Sequence, residues 1–371
     1  MRKIAFSDAK YRALRESDQL QKMFREVLHS GIFHGGRNNT LLVTRLTSST
    51  NAKYVSLTAS GHDSLYLALH ALKLQATDEV IVPANAYPSA FPVVQYGAKL
   101  VFADVNDQGL LDLKRIESYI TPRTRAIIPV HLFGHTVPID ELSFILHKIS
   151  KSKIYIIEDC AQALGATIGG KMVGSLGDIG CFSFYPTKNC GTLGDGGAIV
   201  TNTLRYYKHL QKATSYGEKK RYDSAFISGH SRIPEIQAGA VAVYLKRLRQ
   251  DIQLKQKLAA TYDEYLAPLH PNVIPIAHTR PNESPGIHLY VIRAKRRNAL
   301  QKYLQSNGIP TFIHYPTPTH MVKAFNHLNY DKNSFPTAAQ LSREILSLPI
   351  GIHLDAEAIQ YISRTIARFY E

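Results

Sequence analysis

One lysine dominates the chemistry that this sequence could carry. Lys188 lies in the stretch GCFSFYPTKNCGTLGDGGAIVT over 180–201, at a bend between two apolar runs. The runs over 181–185 and 197–201 read as short strands, and Pro186, Gly191, Gly194, Gly196 and Gly197 punctuate what joins them. Taken alone, a surface hairpin with a solvated lysine explains such a bend about as well as a ligand site does. Glycine-rich connections, however, also let a backbone approach a ligand closely, because glycine has no Cβ.

A lysine held for chemistry needs a scaffold around it. From residue 54 onward the pattern runs strand, helix, strand: 54–57, 62–72 and 79–82, with further strands expected over 100–104, 126–130 and 154–157. That alternation predicts an α/β domain with a large, mostly parallel sheet. Ligands of such sheets collect beyond the carboxyl ends of the strands. Tyr87 follows the 79–82 strand, His131 follows 126–130, and Glu158, Asp159 and Gln162 follow 154–157. Ser60-Gly61-His62-Asp63 has the Ser-x-x-Asp form of a capping box, and a helix start offers free N–H groups to an anion.

The flanking segments are less informative. One helix is expected over 18–29, and a single long helix is expected to run from Pro234 to the end of the YDEYL run, bridging to a second unit. That unit reads as smaller and α+β. It has strands over 287–293 and in IPTFIHY up to Tyr315, helices over 298–307 and 338–346, and a proline-punctuated loop with His314, Tyr315 and His320. The expected division is an N-terminal arm plus large domain over 1–240 and a small C-terminal domain over 241–371.

Bulk properties exclude several classes. At 371 residues and 44% apolar composition the chain can bury a large core, and it has no apolar run long enough to span a bilayer. No signal peptide is read at its start, so a cytoplasmic protein without membrane contact is expected. Cys160, Cys181 and Cys190 suit neither a disulfide framework nor paired zinc ligands, so no metal is expected. The net charge of +15 comes from scattered residues without a nucleic-acid-binding signature. A polyanionic small molecule suits it better than nucleic acid.

These parts match what one kind of cofactor requires. Lys188 could be a Schiff-base amine, Asp159 the carboxylate on a pyridinium nitrogen, and Tyr87 the stacking face. Gly61, His62 and Ser183 could surround a phosphate. The sequence resembles the pyridoxal 5'-phosphate-dependent nucleotide-sugar aminotransferases of the DegT/StrS family, which have the aspartate aminotransferase fold (fold type I). The resemblance rests on SGHDSL (60–65), DEVIVPANAY (78–87), TPRTRAIIPVHLFG (121–134), IEDCAQALGA (157–166), SFYPTKNCGTLGDGGAIVT (183–201), HLYVIR and GIPTFIHYP.

The resemblance implies Lys188 and Asp159 as catalytic residues. It implies Gly61, His62, Tyr87, Gln162 and Ser183 around the cofactor, with His314, Tyr315 and His320 toward substrate. It further implies a homodimer with shared active sites, an amino-acid donor such as glutamate, and a keto nucleotide sugar, most similar to a dTDP-3-keto-6-deoxyhexose. Two positions depart from the family pattern. His62 replaces a threonine, and His230 replaces an asparagine that would reach the partner subunit's phosphate; together they leave an altered paralogue or regulator as an alternative. A dehydratase on the same fold would lack the lysine, and Lys188 is present.

Overall fold

Strands that are apolar along their whole length need cover on both faces. The computed structural model, which describes residues 4–276 and 280–371, provides it. The central sheet comprises β1 (Tyr54–Thr58), β2 (Glu79–Pro83), β3 (Lys99–Ala103), β4 (Thr124–Ile127), β5 (Tyr155–Asp159), β6 (Ile179–Ser183) and β7 (Gly197–Thr201). Their order is β1-β7-β6-β5-β4-β2-β3. Only β7 runs against its neighbours, pairing antiparallel with both β1 and β6.

The period-2 alternation of strand side chains divides the core. Ile179, Cys181 and Ile199 face α4 (Gly61–Leu72) and α5 (Tyr87–Tyr96). Phe182, Ala198 and Val200 face the other layer, built from α2 (Ser17–Ser30), α3 (Arg37–Thr50) and α8 (Glu235–Leu245). Ahead of these lies α1 (Ala9–Arg15), while α6 (Ile139–Ile149) and α7 (Leu204–Ala213) complete the helical cover. A third core joins α9 (Leu248–Leu266), α10 (Arg297–Ser306) and α12 (Ala356–Tyr370) to an antiparallel sheet. That sheet contains β8 (Val273–Pro275), β9 (Tyr290–Ala294) and β10 (Ile345–Leu348), with α11 (Pro336–Glu344) leading into β10.

Several expectations change. The long helix from Pro234 breaks at Lys246–Arg247 into α8 and α9. Residues of α8 are buried nearly all round, whereas α9 is amphipathic, and Arg247 leaves helical geometry to bond Glu16 at 3.0 Å. The boundary drawn at residue 240 therefore falls inside α8. IPTFIHY forms no strand, only an isolated bridge from Phe312 to Ser347. The N-terminal region holds three helices rather than one, and the start of α3 is capped from afar: Glu235 accepts N–H bonds from Gly36, Asn38 and Asn39 at 2.7–2.9 Å.

One row of residues sets the site's geometry. Gly197 pairs with Thr58 on one side and Ser183 on the other, so the end of β1, the start of β7 and the end of β6 lie together. A Cβ on Gly197 would collide with the Ser60 carbonyl. Gly197→Ala is expected to destabilise the fold by ~1–3 kcal/mol and to weaken anything bound at the start of α4. Urea midpoints and phosphate-ligand affinity measure both effects.

Candidate active site

The connection from β6 to β7 folds back on itself. Lys188 N–H donates to the Tyr185 carbonyl at 2.8 Å, and Thr192 N–H donates to Phe184 at 2.7 Å. Its tip is held from the N-terminal helix. The buried Arg12 guanidinium donates to the carbonyls of Pro186 at 3.0 Å, Lys188 at 2.8 Å and Asn189 at 2.8 Å. Asp8 lies 3.3 Å from the same guanidinium, and Tyr244 lies under it at 5.5 Å. No sequence pattern marks Arg12, because its partners are backbone carbonyls with no residue-type signal.

Asp159 ends β5, the strand paired with β6, whose connection to β7 carries Lys188. Its carboxylate accepts a hydrogen bond from Ser89 at 2.6 Å and one from the Ala161 N–H at 3.0 Å. Gln162 is fixed by the Phe133 N–H at 2.7 Å and points its amide toward the Tyr315 hydroxyl at 3.5 Å. Tyr87 opens α5 with an exposed ring, 5.9 Å from that of Tyr315. Acid, amide and two aromatic faces thus share one edge of the sheet.

Beside them α4 begins. Ser60 caps it by accepting the Asp63 N–H at 3.1 Å, while the N–H groups of Gly61 and His62 have no acceptor within the helix. A Cβ on Gly61 would lie 2.5 Å from that of Ser183, so only glycine allows this hydroxyl and the helix start to adjoin. Ser231 ties the segment down, donating to Asp63 at 2.7 Å and accepting from Ala59 N–H at 2.9 Å. The result is a cradle of donors suited to a phosphate.

The histidines separate into distinct groups. His62 turns its ring to Gln95 at 2.5 Å. His314 bonds Ser347 at 2.9 Å. His230 is exposed, accepting from Arg232 at 2.9 Å beside the Tyr216 ring, and is not brought to Lys188 of its own chain. His320, expected near substrate, is instead buried against Phe335 and Phe102 with ring centroids 4.8 and 6.5 Å away, where an aromatic pocket takes its ring. His131 is also a core residue: it bonds Glu158 at 3.1 Å and accepts the Val137 N–H at 2.9 Å. Cys160 lies close to both, but Glu158 is saturated by the N–H groups of Gly174, Leu176 and Gly177.

Electrostatics distinguish Lys188 further. Burial lowers its pKa to about 8, although the Asp159 charge pulls the other way. His314 falls to about 4 through burial and then through Lys188, and Tyr315 is pushed up to about 12 through burial and then Asp159. A lysine with a substantial neutral fraction near pH 8 can act as nucleophile and base.

Residues 15–367 match the DegT/DnrJ/EryC1/StrS aminotransferase family. The chain belongs to this family. A dTDP-3-amino-3,6-dideoxy-alpha-D-galactopyranose transaminase of Aneurinibacillus thermoaerophilus is 37% identical over 369 residues, covering 99% of each chain. DesV of S. venezuelae, solved in complex with a ketimine intermediate, superposes with a TM-score of 0.96 at 33% identity, covering 100% of this chain and 99% of that one. The PMP-form of the putative sugar aminotransferase Spr1654 from Streptococcus pneumoniae gives 0.87 at 27% identity, covering 94% and 96%. The chain is an aminotransferase, with the α/β architecture expected from its strand and helix pattern.

Arg12→Met removes a buried cation from three carbonyls and from Asp8. Breaking such a pair is expected to cost ~3–5 kcal/mol, seen as a lower urea midpoint. A loss under ~1 kcal/mol would show that the bend holds its shape unaided.

Proposed function

We propose that this protein is a homodimeric, pyridoxal 5'-phosphate-dependent aminotransferase that moves nitrogen from glutamate to C3 of a dTDP-3-keto-6-deoxyhexose. The observation that carries the reading is the placement of Lys188 within the field of a buried, hydrogen-bonded Asp159, beside a phosphate cradle. The donor set suits the cofactor: an amine, a carboxylate, an aromatic face and a cluster of N–H and hydroxyl donors. Transaminase names among full-length relatives support the substrate class.

Bound there, pyridoxal phosphate supplies an electron sink for exchange of an amino group with a keto group. Lys188 would hold the cofactor and, as a neutral amine, could carry a proton at the substrate carbon. Asp159, oriented by Ser89 and the Ala161 N–H, would keep the ring nitrogen protonated. Tyr87 would offer its face to the ring, Gln162 its amide to the ring side, and Gly61, His62 and Ser183 their donors to the phosphate. Tyr315 and His314 border the substrate side.

The dimer is supported by apolar residues left bare in the segment that carries His230. Ile227 is 95% exposed and Tyr222 84%. A second copy would cover them and bring His230 to the phosphate across the interface. Within the chain, the small domain starts at the α8–α9 break, and a cytoplasmic location agrees with the absence, among the described residues, of any helix long and apolar enough to cross a membrane.

Mass spectrometry of products from a panel of keto-sugar nucleotides with glutamate tests the reading. The amino product is expected from a dTDP-3-keto-6-deoxyhexose, and Lys188→Ala is expected to make none. Turnover by Lys188→Ala would overturn the mechanism, and amination confined to 4-keto sugars would overturn the carbon assignment.

A further inference from the structure

Two buried cations, Arg12 and Lys255, face a single buried carboxylate, Asp8. Arg12 is fully engaged by its three carbonyls and Asp8. Lys255 is not. Its ammonium stands 3.6 Å from Asp8 and 3.5 Å from the Asn189 side-chain oxygen, while Asp8 also receives the Ile352 N–H at 3.3 Å. An ammonium offers three donors, and a buried one with only long contacts has its desolvation cost only partly offset.

Lys255 lines a cavity of about 280 Å3 together with its partner Asp8, His288, His314, Tyr185 and Thr187. The last two lie on the run that leads into Lys188. His288 is buried, and its Nδ1 has no hydrogen-bond partner. Burial first, then the Lys188 charge, lowers the pKa of His288 and of His314, so both rings are neutral at physiological pH and both lie within the field of the lysine. A cavity beside Lys188 therefore holds one under-coordinated cation and one unpaired imidazole nitrogen.

We propose that this cavity binds a carboxylate of the amino-acid donor, with Lys255 as its counter-ion and His288 as a second hydrogen-bond donor. A carboxylate oxygen can approach an ammonium to about 2.7–2.9 Å, which supplies the short contact that Lys255 lacks. Size points to the same ligand class. Drug-sized ligands occupy roughly 300–1,000 Å3; at about 280 Å3 the cavity suits an amino acid and is tight for a nucleoside-diphosphate sugar. The proposal rests on the aminotransferase reading and divides the two half-reactions between subsites: the donor anchors at Lys255, and the nucleotide binds elsewhere.

The test uses cofactor-loaded protein. Calorimetry with glutarate, a dicarboxylate without an amine, and separately with inorganic phosphate reads the site without turnover. Stopped-flow absorbance then reads the glutamate and keto-sugar half-reactions. Lys255→Met is expected to weaken glutarate binding and raise the glutamate KM by ~10-fold or more, with Lys255→Arg recovering part of the loss and the keto-sugar half-reaction changing less than ~2-fold. His288→Leu, which spares the Asp8–Arg12 contacts should Lys255→Met fail to fold, is expected to weaken glutarate by at least ~3-fold. Unchanged glutarate affinity in the folded variants, equal loss in both half-reactions, or phosphate binding in place of glutarate would overturn the proposal. If the wild type performs neither half-reaction, the aminotransferase reading fails, while the glutarate titration still decides the cavity.

Discussion

The Arg12 guanidinium reaches across 176 residues of sequence to the carbonyl of Lys188, and with the carbonyls of Pro186 and Asn189 it fixes the tip of the β6–β7 connection. A tight bend turns carbonyls inward that the sheet ladder cannot pair, and buried unpaired carbonyls are costly. A planar, permanently charged fork is suited to gathering several of them at once. The clamp fixes the backbone of the lysine beside it. The Lys188 bend, the N-terminal helix and the Asp8–Lys255 pair are therefore one connected unit.

That unit also explains why the N-terminal segment matters to a site at the far end of a sheet. Asp8 accepts from the N–H of Ile352, so the same carboxylate connects α1 with the small antiparallel sheet's flank. The candidate active site lies where three parts meet: the carboxyl ends of the parallel strands, the N-terminal arm, and the loops beside β9 and β10. Most of the +15 charge is outside this arrangement, on scattered solvated residues; the charges that shape the site are few and buried.

How much of this was legible in the sequence depended on whether the signal was local. Lys188, Asp159 and the α4 start could be read because a strand end, a glycine-rich turn and a capping serine each leave a pattern within a few residues. The sheet was legible for the same reason: its strands carry apolar runs and are separated by helical spacing. Arg12 left no trace, since it pairs with backbone atoms far along the chain. His320 misled because a histidine beside prolines in a loop looks exposed, whereas the fold turns it onto Phe335. The α8–α9 break was invisible because helix propensity continues through Lys246–Arg247, and α9 starts on the same core as α8 before passing to the third.

Burial lowers the Lys188 pKa to about 8, which leaves a reactive neutral amine near neutrality. The most direct test of this is the rate at which cofactor-free protein captures pyridoxal phosphate, followed by absorbance as a function of pH, since only the neutral amine reacts. The rate is expected to rise about tenfold per pH unit from below and to level off above a midpoint near the lysine's lowered pKa of about 8. A midpoint at the ordinary lysine value of 10.5 would contradict it.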